Sequence, residues 1–129
     1  MSLVLDTCAL LYWTLDPARL SAAASAALKP VGRGERVILS SASIWEIALK
    51  HRAGKLDLGT TPEDYLRRLG RLPVEIAPVS AELWLASVAL DWEHRDPVDR
   101  LVVALAEERG APLLSSDEKI RAWCARCVW

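Results

Sequence analysis

Short apolar runs alternate with segments that carry a helical repeat of apolar positions. Four apolar runs predict strands, at residues 3–5, 36–39, 74–77 and 111–114. Seven segments, most of them opened by Ser, Thr, Asp or Pro, predict helices at residues 7–15, 20–29, about 40–54, 61–69, 80–90, 96–109 and 116–123. The clearest helix has apolar residues at the i, i+3, i+4, i+7 and i+8 spacing of one buried face, namely Val98, Leu101, Val102, Leu105 and Ala106.

This alternation of strands and helices determines the predicted fold class. It indicates an α/β fold in which a mainly parallel sheet is covered by helices on both faces. The first strand, Leu3-Val4-Leu5, is short and wholly apolar, so we expect it at the centre of the sheet with Asp6 at its carboxyl end. The chain has 129 residues, of which 52% are hydrophobic, and this size and composition favour one domain over residues 1–129.

Composition and charge argue against several classes of protein. The longest apolar stretches, 8–13 and 101–106, are far shorter than the roughly 20 residues that span a bilayer. The start lacks the basic lead of a secretory signal, so we expect a cytoplasmic protein. Three cysteines are too few for a disulfide framework. The net charge of −1 leaves only local basic patches for binding nucleic acid.

Four acidic residues stand where an apolar or serine-rich run gives way to a helix: Asp6, Glu46, Asp99 and Asp117. In an α/β fold, strand ends and helix starts crowd along one edge of the sheet, so acids that are distant in sequence can become neighbours. Clustered carboxylates suit Mg²⁺ or Mn²⁺, the hard ions that activate water for cutting phosphodiesters. The placement of the four acids therefore predicts a cation site.

Three of these acidic positions also have an ordinary structural explanation. The run from Ser43 to Glu46 fits a capping box, and Glu46 could pair with Lys50 at i+4. Asp96 fits a helix N-cap, with Asp99 at the third helical position. Asp117 lies in a helix first turn, where the helix dipole favours an acid. Both explanations stay open for these acids.

Asp6 and Asp99 are harder to explain as surface or capping residues. Asp6 ends a strand that should be buried and has no basic residue at i+3 or i+4, and an unpaired buried carboxylate is costly. Asp99 borders the apolar stripe of its helix, so it should be partly buried. Two acids at buried edges suggest a shared cation. His94 is a candidate acid or base beside Asp96, with a structural role as the alternative.

Four segments stand in a fixed order along the chain. They are Leu3-Val4-Leu5-Asp6-Thr7, then Ser40 to Lys50, then His94 to Leu101, and finally Leu114 to Asp117. Together they resemble the PIN-domain family, and most closely the VapC toxins of bacterial toxin–antitoxin pairs. The resemblance covers nearly the whole chain. It departs at Val98, where phenylalanine is common, and at Leu105, where glutamine is common.

The resemblance implies a PIN-like three-layer α/β/α fold with an acidic pocket that binds Mg²⁺ or Mn²⁺ at the carboxyl edge of the sheet. The residues that it implies as catalytic and metal-binding are Asp6, Glu46, Asp99 and Asp117, with Asp96 either a further metal contact or only a cap. The supporting polar residues are Thr7, Ser43 and Ser116.

The function implied is that of a metal-dependent endoribonuclease, the toxin of a type II toxin–antitoxin pair. Its expected partners are an RNA substrate, an antitoxin that covers or fills the pocket, and a second copy of the chain in a homodimer. We expect Lys50, Arg52 or Arg100 to steer the RNA backbone. The alternative is a binding module of the same fold whose acids act only as caps. A phospho-acceptor receiver domain ranks last, because the acid pair expected after the first strand is absent.

Overall fold

A five-stranded parallel sheet runs through the computed structural model, which describes residues 2–129. Its strands are β1 Ser2–Leu5, β2 Arg36–Ser40, β3 Val74–Ala77, β4 Leu113–Leu114 and β5 Cys127–Val128. The helices are α1 Thr7–Leu15, α2 Ala22–Leu28, α3 Ser41–Arg52, α4 Pro62–Leu69, α5 Ala81–Ala89, α6 Pro97–Arg109 and α7 Glu118–Trp123, with one 3₁₀ turn at Pro17–Arg19. The strand order is β3-β2-β1-β4-β5, so the prediction of a parallel sheet centred on β1 is confirmed.

Successive residues of the central strand face two separate apolar cores. Leu3 and Leu5 pack with residues of α1, α2, α3 and α4. Val4, between them, packs with residues of α5, α6 and α7. Side chains alternate between the two faces of a strand, so a wholly apolar strand needs cover on both sides. The predicted three-layer α/β/α fold is confirmed.

Helix α6 carries the apolar stripe noted in the sequence and is the most completely buried of the helices. Asp96 caps its first turn, Pro97 occupies its first position, and Gly110 ends it with a left-handed φ of 58° that suits glycine. Its buried residues are Val98, Leu101, Val102, Val103, Ala104, Leu105 and Ala106. None of the helices within residues 2–129 is both long enough and apolar enough to cross a membrane.

The carboxyl ends of β1 and β4 meet at the edge of the sheet where the acids were expected. Leu5 pairs with Leu114, and the backbone N–H of Asp6 donates to the carbonyl of Leu114 at 3.1 Å. Asp6 and Ser115 therefore leave neighbouring strands side by side. The sequence did not predict β5, because a two-residue strand has no periodicity to detect.

Candidate active site

Asp6 lies at the junction of β1 and α1 and is 5% exposed. Its Oδ1 accepts a hydrogen bond from the backbone N–H of Ala9 at 2.8 Å, which makes it the N-cap of α1. Its Oδ2 accepts a hydrogen bond from Oγ of Ser115. The predicted burial of Asp6 is confirmed. Its capping role was missed, because the sequence interpretation treated it only as the end of a strand.

The acid–base state of Asp6 reflects both burial and its acidic neighbours. The pKa of Asp6 is raised from 3.8 to about 6, mainly by burial, and the hydrogen bonds from Ser115 and Ala9 oppose this rise. The negative charges of Asp99 and Asp117 contribute to the rise. The fold therefore brings three of the predicted acids within electrostatic reach of one another.

Asp99 lies in the first turn of α6, and its side chain is 24% exposed. Its Oδ2 is 2.6 Å from Nε2 of His94. Burial raises the pKa of Asp99, the hydrogen bond with His94 lowers it, and the charges of Asp96 and Asp117 raise it. The predicted partial burial is confirmed. The sequence placed His94 beside Asp96, whereas its ring contacts Asp99.

Asp117 is the N-cap of α7. Its Oδ1 accepts hydrogen bonds from the backbone N–H groups of Lys119 and Ile120, at 2.8 and 3.1 Å. Its own N–H donates to Oγ of Ser115 at 3.1 Å. A single serine hydroxyl thus bridges Asp117 and Asp6.

This bridging serine is not the one singled out in the sequence. Ser115 is fully buried, whereas Ser116 is partly exposed and makes no side-chain hydrogen bond within residues 2–129. The contact with the acids expected of Ser116 therefore belongs to Ser115. Two adjacent serines at the end of a strand point to opposite sides, and the sequence did not show which one faces the acids.

Glu46 lies on α3, and the capping-box interpretation of it is wrong. The N-cap of α3 is Ser40, whose Oγ accepts from the backbone N–H of Ala42 at 3.1 Å. Ser43 is instead buried inside the helix, where its Oγ accepts a hydrogen bond from Thr7 Oγ1 at 2.9 Å. The predicted i+4 pairing is present, with Nζ of Lys50 4.0 Å from Glu46 Oε1.

The Cys8 thiol relates Glu46 to the other acids. Partial desolvation raises the pKa of Cys8. The charges of Asp6, Glu46 and Asp99 raise it further, while Lys50 lowers it. The electrostatic surroundings of Cys8, at the start of α1, therefore include acids at the end of β1, on α3 and on α6. Thr7, the residue before it, ties α1 to α3 through its hydrogen bond with Ser43.

The donor chemistry of this edge fits Mg²⁺ or Mn²⁺, because Asp6, Asp99 and Asp117 offer carboxylate oxygens that repel one another. As they stand, no three His, Cys, Asp or Glu side chains among residues 2–129 form a group that could hold an ion. Both oxygens of Asp6 and Oδ2 of Asp99 are engaged in hydrogen bonds. A shared ion would therefore require side-chain rotations that bring these oxygens together.

The three cations predicted to steer RNA have different surroundings. Lys50 faces Glu46 with 44% of its side chain exposed, and Arg52 is exposed in the last turn of α3. Arg100 is not free for such a role. All five of its N–H donors are directed at backbone carbonyls of residues 87–94, namely those of Ser87, Val88, Leu90, Trp92 and His94. Arg100 therefore fixes the connection between α5 and α6.

A cleft of about 1090 Å³ opens beside the acids, between that connection and α7. His94, Trp92 and Trp123 contribute aromatic rings to its wall, and Arg95 and Lys119 contribute positive charge. Trp92 and Trp123 are partly buried and pack against the apolar core on the α6 side of the sheet.

Comparison with known proteins relates this geometry to a family. The PIN domain family model matches residues 3–124. Ribonuclease VapC22 of Mycobacterium tuberculosis is 27% identical over 122 residues, covering 94% of this chain and 91% of that protein. A toxin–antitoxin complex from Klebsiella pneumoniae contains a chain with a TM-score of 0.67 at 18% identity, covering 98% of this chain and 95% of that one. VapBC2 from Rickettsia felis, bound to a DNA fragment from its promoter, gives a TM-score of 0.67 at 17% identity, covering 95% and 92%.

Proposed function

This chain belongs to the PIN domain family, and from that premise we propose that it is a metal-dependent endoribonuclease that hydrolyses RNA phosphodiesters in the cytoplasm. The observation that carries the proposal is the gathering of Asp6, Asp99 and Asp117 at one sheet edge. Each of the latter two raises the pKa of the buried Asp6. Perturbed carboxylates of this kind, held beside a cleft, are typical of functional sites.

The carboxylates of Asp6, Asp99 and Asp117 would hold the ion, with Glu46 reaching it directly or through water. Mg²⁺ or Mn²⁺ bound there would supply an activated water and offset charge on the scissile phosphate. Ser115 and His94 orient the carboxylates of Asp6 and Asp99 through their hydrogen bonds.

Positive charge near the acids supports binding of the RNA backbone. Lys50 is half-exposed and 4.0 Å from Glu46, and it would contact phosphates, which position a nucleic acid without reading its sequence. Arg52, two residues later, projects from another side of α3 and would contact the RNA backbone farther from the acids. Arg100 is excluded from this set because the backbone carbonyls engage all its donors.

We further propose that the chain is the toxin of a type II toxin–antitoxin pair. The likeness to Ribonuclease VapC22 and the fold shared with two toxin–antitoxin structures support an antitoxin partner. A homodimer is supported by an apolar patch on α3 and α5 that consists of Trp45, Trp84, Leu85 and Val88, which are 60%, 49%, 73% and 76% exposed. Apolar surfaces of this kind mark protein interfaces.

A second function is favoured by one specific observation. Asp6, Asp96 and Asp117 each accept a hydrogen bond from the first turn of a helix and therefore act as N-caps. A binding module of the same fold that performs no chemistry would need these acids only for that purpose.

Measurement of RNA cleavage separates the two functions. We expect the wild-type protein to cleave single-stranded RNA with Mg²⁺ or Mn²⁺ and to lose cleavage in excess EDTA. Asp6→Asn should abolish cleavage while keeping the cap, because asparagine caps helices as well as aspartate does. Asp16→Asn, at the opposite end of α1, is the matched control and should cleave normally. Undiminished cleavage by Asp6→Asn, or in excess EDTA, would exclude the proposed mechanism.

A further inference from the structure

Three aromatic rings form a continuous row along the cleft beside the acids. The rings of Trp92 and Trp123 are stacked, with centroids 5.4 Å apart and an interplanar angle of 24°. The ring of His94 lies 4.7 Å from that of Trp92, at 42°. Trp123 is fixed at its outer edge, since its indole N–H donates to the carbonyl of Asp91 at 2.9 Å. We call His94, Trp92 and Trp123 the ring row.

The ring row is attached directly to the candidate active site. At one end, Nε2 of His94 is 2.6 Å from the carboxylate of Asp99. At the other end, Trp123 belongs to α7, the helix whose first turn is capped by Asp117. A ligand group at the His94 end of the cleft would thus lie one residue away from Asp99, whereas Trp123 lies at the opposite end of α7 from Asp117.

Arg100 holds the ring row in place without a ligand. Its guanidinium donates to the carbonyls of Trp92 and His94 at 2.6 and 2.8 Å, and also to carbonyls at the end of α5. The segment that carries two of the three rings is therefore fixed to α6. A preordered surface loses little conformational freedom when a ligand binds, which favours affinity.

The chemistry of the cleft selects a base over a phosphate. Its charged lining is mixed, with Arg95 and Lys119 opposed by carboxylates, so it offers no strong attraction to an anion. What it offers is the faces and edges of flat rings, on which nucleobases stack. Bases inside a duplex are already stacked on their neighbours, whereas those of a single strand are free to turn outward.

We propose that the ring row is the subsite for an unstacked base of single-stranded RNA, one that lies next to the scissile phosphate. This inference rests on the proposed ribonuclease activity and names the form of RNA that the site accepts. It assigns Trp92 and Trp123 to substrate positioning, distinct from the metal chemistry of the acids.

Binding measurements on ring variants test the subsite. The affinity for a fluorescently labelled single-stranded RNA is measured by anisotropy in EDTA, so that no cleavage occurs, and kcat/KM is then measured with Mg²⁺. Trp92→Leu and Trp123→Leu should each weaken binding roughly 5- to 150-fold, the loss expected for one stacked base. Trp92→Phe keeps a flat ring and should retain most of the affinity. Trp129→Leu, which removes an aromatic contact with Tyr12 elsewhere in the protein, is the matched control and should bind normally.

An abasic scan of the RNA provides a test that needs no folding control. Bases are removed from the RNA one at a time, and removal at one position should weaken binding to the wild-type protein. Removal at that same position should not change the affinity of Trp92→Leu. Wild-type cleavage combined with unchanged binding by both leucine variants would overturn the subsite and leave the ribonuclease proposal standing. An abasic scan in which no position weakens binding more than the others would also overturn the subsite. So would a ring variant that binds RNA normally but no longer binds a protein partner. Failure of the wild-type protein to bind or cleave single-stranded RNA would overturn both.

Discussion

Ser115 donates a hydrogen bond from its Oγ to Oδ2 of Asp6, although the two residues are 109 positions apart. The same Oγ accepts a hydrogen bond from the N–H of Asp117. One buried hydroxyl therefore links the end of β1 to the start of α7 and fixes two acids relative to each other. Such outer contacts orient carboxylates that bind metals.

We expect Ser115→Ala to impair both stability and activity. The change leaves one buried oxygen of Asp6 and the N–H of Asp117 without their partner, which should cost about 1–3 kcal/mol of unfolding free energy. It should also raise the pKa of Asp6 further, because the bond from Ser115 lowers that pKa. Cleavage should fall about 10- to 100-fold, as for other contacts that orient metal ligands. Urea unfolding and steady-state kinetics measure the two effects.

Ser116→Ala is the matched control for this prediction. Ser116 is partly exposed and its hydroxyl makes no hydrogen bond within the part of the chain that the structure describes. We expect its stability and cleavage to stay close to wild type. Equal losses in the two alanine variants would contradict the assignment of the bridging role to Ser115.

The raised pKa of Asp6 gives the metal-free protein a specific dependence on pH. The folded-state pKa of about 6 lies above the ordinary 3.8, so between these values the folded state keeps a proton that the unfolded state has lost. Stability should therefore fall as the pH rises from about 4 to 6 and remain low above that range. Asp6→Asn removes this penalty and should be more stable than wild type at pH 8 in EDTA, by up to about 3 kcal/mol.

Urea unfolding at pH 4 and pH 8 checks whether the buried carboxylate of Asp6 destabilises the folded state. The difference between Asp6→Asn and wild type should shrink towards pH 4, where the carboxyl of the folded wild-type protein is protonated and little of the penalty for burying its charge remains. A variant less stable than wild type at pH 8, with the difference growing as the pH rises, would show that the carboxylate stabilises the fold.

Addition of Mn²⁺ should make the wild-type protein more stable than Asp6→Asn. An ion that binds only the folded state adds about 4.1 kcal/mol when its concentration is about 1,000 times its Kd, which exceeds the burial penalty of up to about 3 kcal/mol. We expect Mn²⁺ to raise the Tm of the wild-type protein, because it offsets the repulsion of Asp99 and Asp117 on Asp6. Asp6→Asn should show little rise, whereas Asp16→Asn should respond like wild type. Equal rises in all three proteins would locate the ion elsewhere.

Arg100 should matter for stability through geometry more than through charge. Its planar guanidinium satisfies backbone carbonyls from the end of α5 to His94. A lysine keeps the charge but cannot match this fork of donors. We expect Arg100→Lys to lose about 2–4 kcal/mol and to speed amide exchange in residues 87–94. Arg95→Lys, on the exposed side of the same connection, should do neither.

Local signals allowed much of the fold to be predicted from the sequence. The bounds of α1 and β3 match the prediction, and α6 is capped at its two ends by the predicted Asp96 and Gly110. These elements are marked by apolar periodicity and by capping residues next to them in the chain. The two-residue strand β4 is shorter than predicted and β5 was missed, because so short a strand is defined by its neighbours in the sheet.

The site was predictable in its acids but not in the contacts that hold them. Choosing Ser40 over Ser43 as the cap of α3 depends on Thr7, which binds Ser43 from another helix. Choosing Ser115 over Ser116 depends on which side of β4 faces β1. The ring row and the Arg100 contacts depend on how α5, α6 and α7 pack. Each of these involves partners that the linear sequence does not place together.

Asp96 and Asp99 differ in role although they lie in the same turn. Asp96 is exposed, and its Oδ1 accepts from the backbone N–H of Asp99 at 3.0 Å as the N-cap of α6. Asp99 is partly buried against His94, and burial and the charges of Asp96 and Asp117 raise its pKa. The contacts of Asp96 are thus those of a cap, whereas the side chain of Asp99 contacts His94 and lies within electrostatic reach of Asp117.

Paired substitutions should therefore give opposite outcomes. Asp96→Asn keeps the cap and should leave both stability and cleavage near wild type, while Asp96→Ala should lose about 1 kcal/mol of stability and keep its kcat. Asp99→Asn should fold with stability similar to wild type yet lose cleavage and Mn²⁺ binding, because it removes a charge from the cation site. Unfolding in urea, kcat and calorimetric Mn²⁺ titration distinguish these cases. If Asp96→Asn lost Mn²⁺ affinity as fully as Asp99→Asn, Asp96 would be a metal contact as well as a cap.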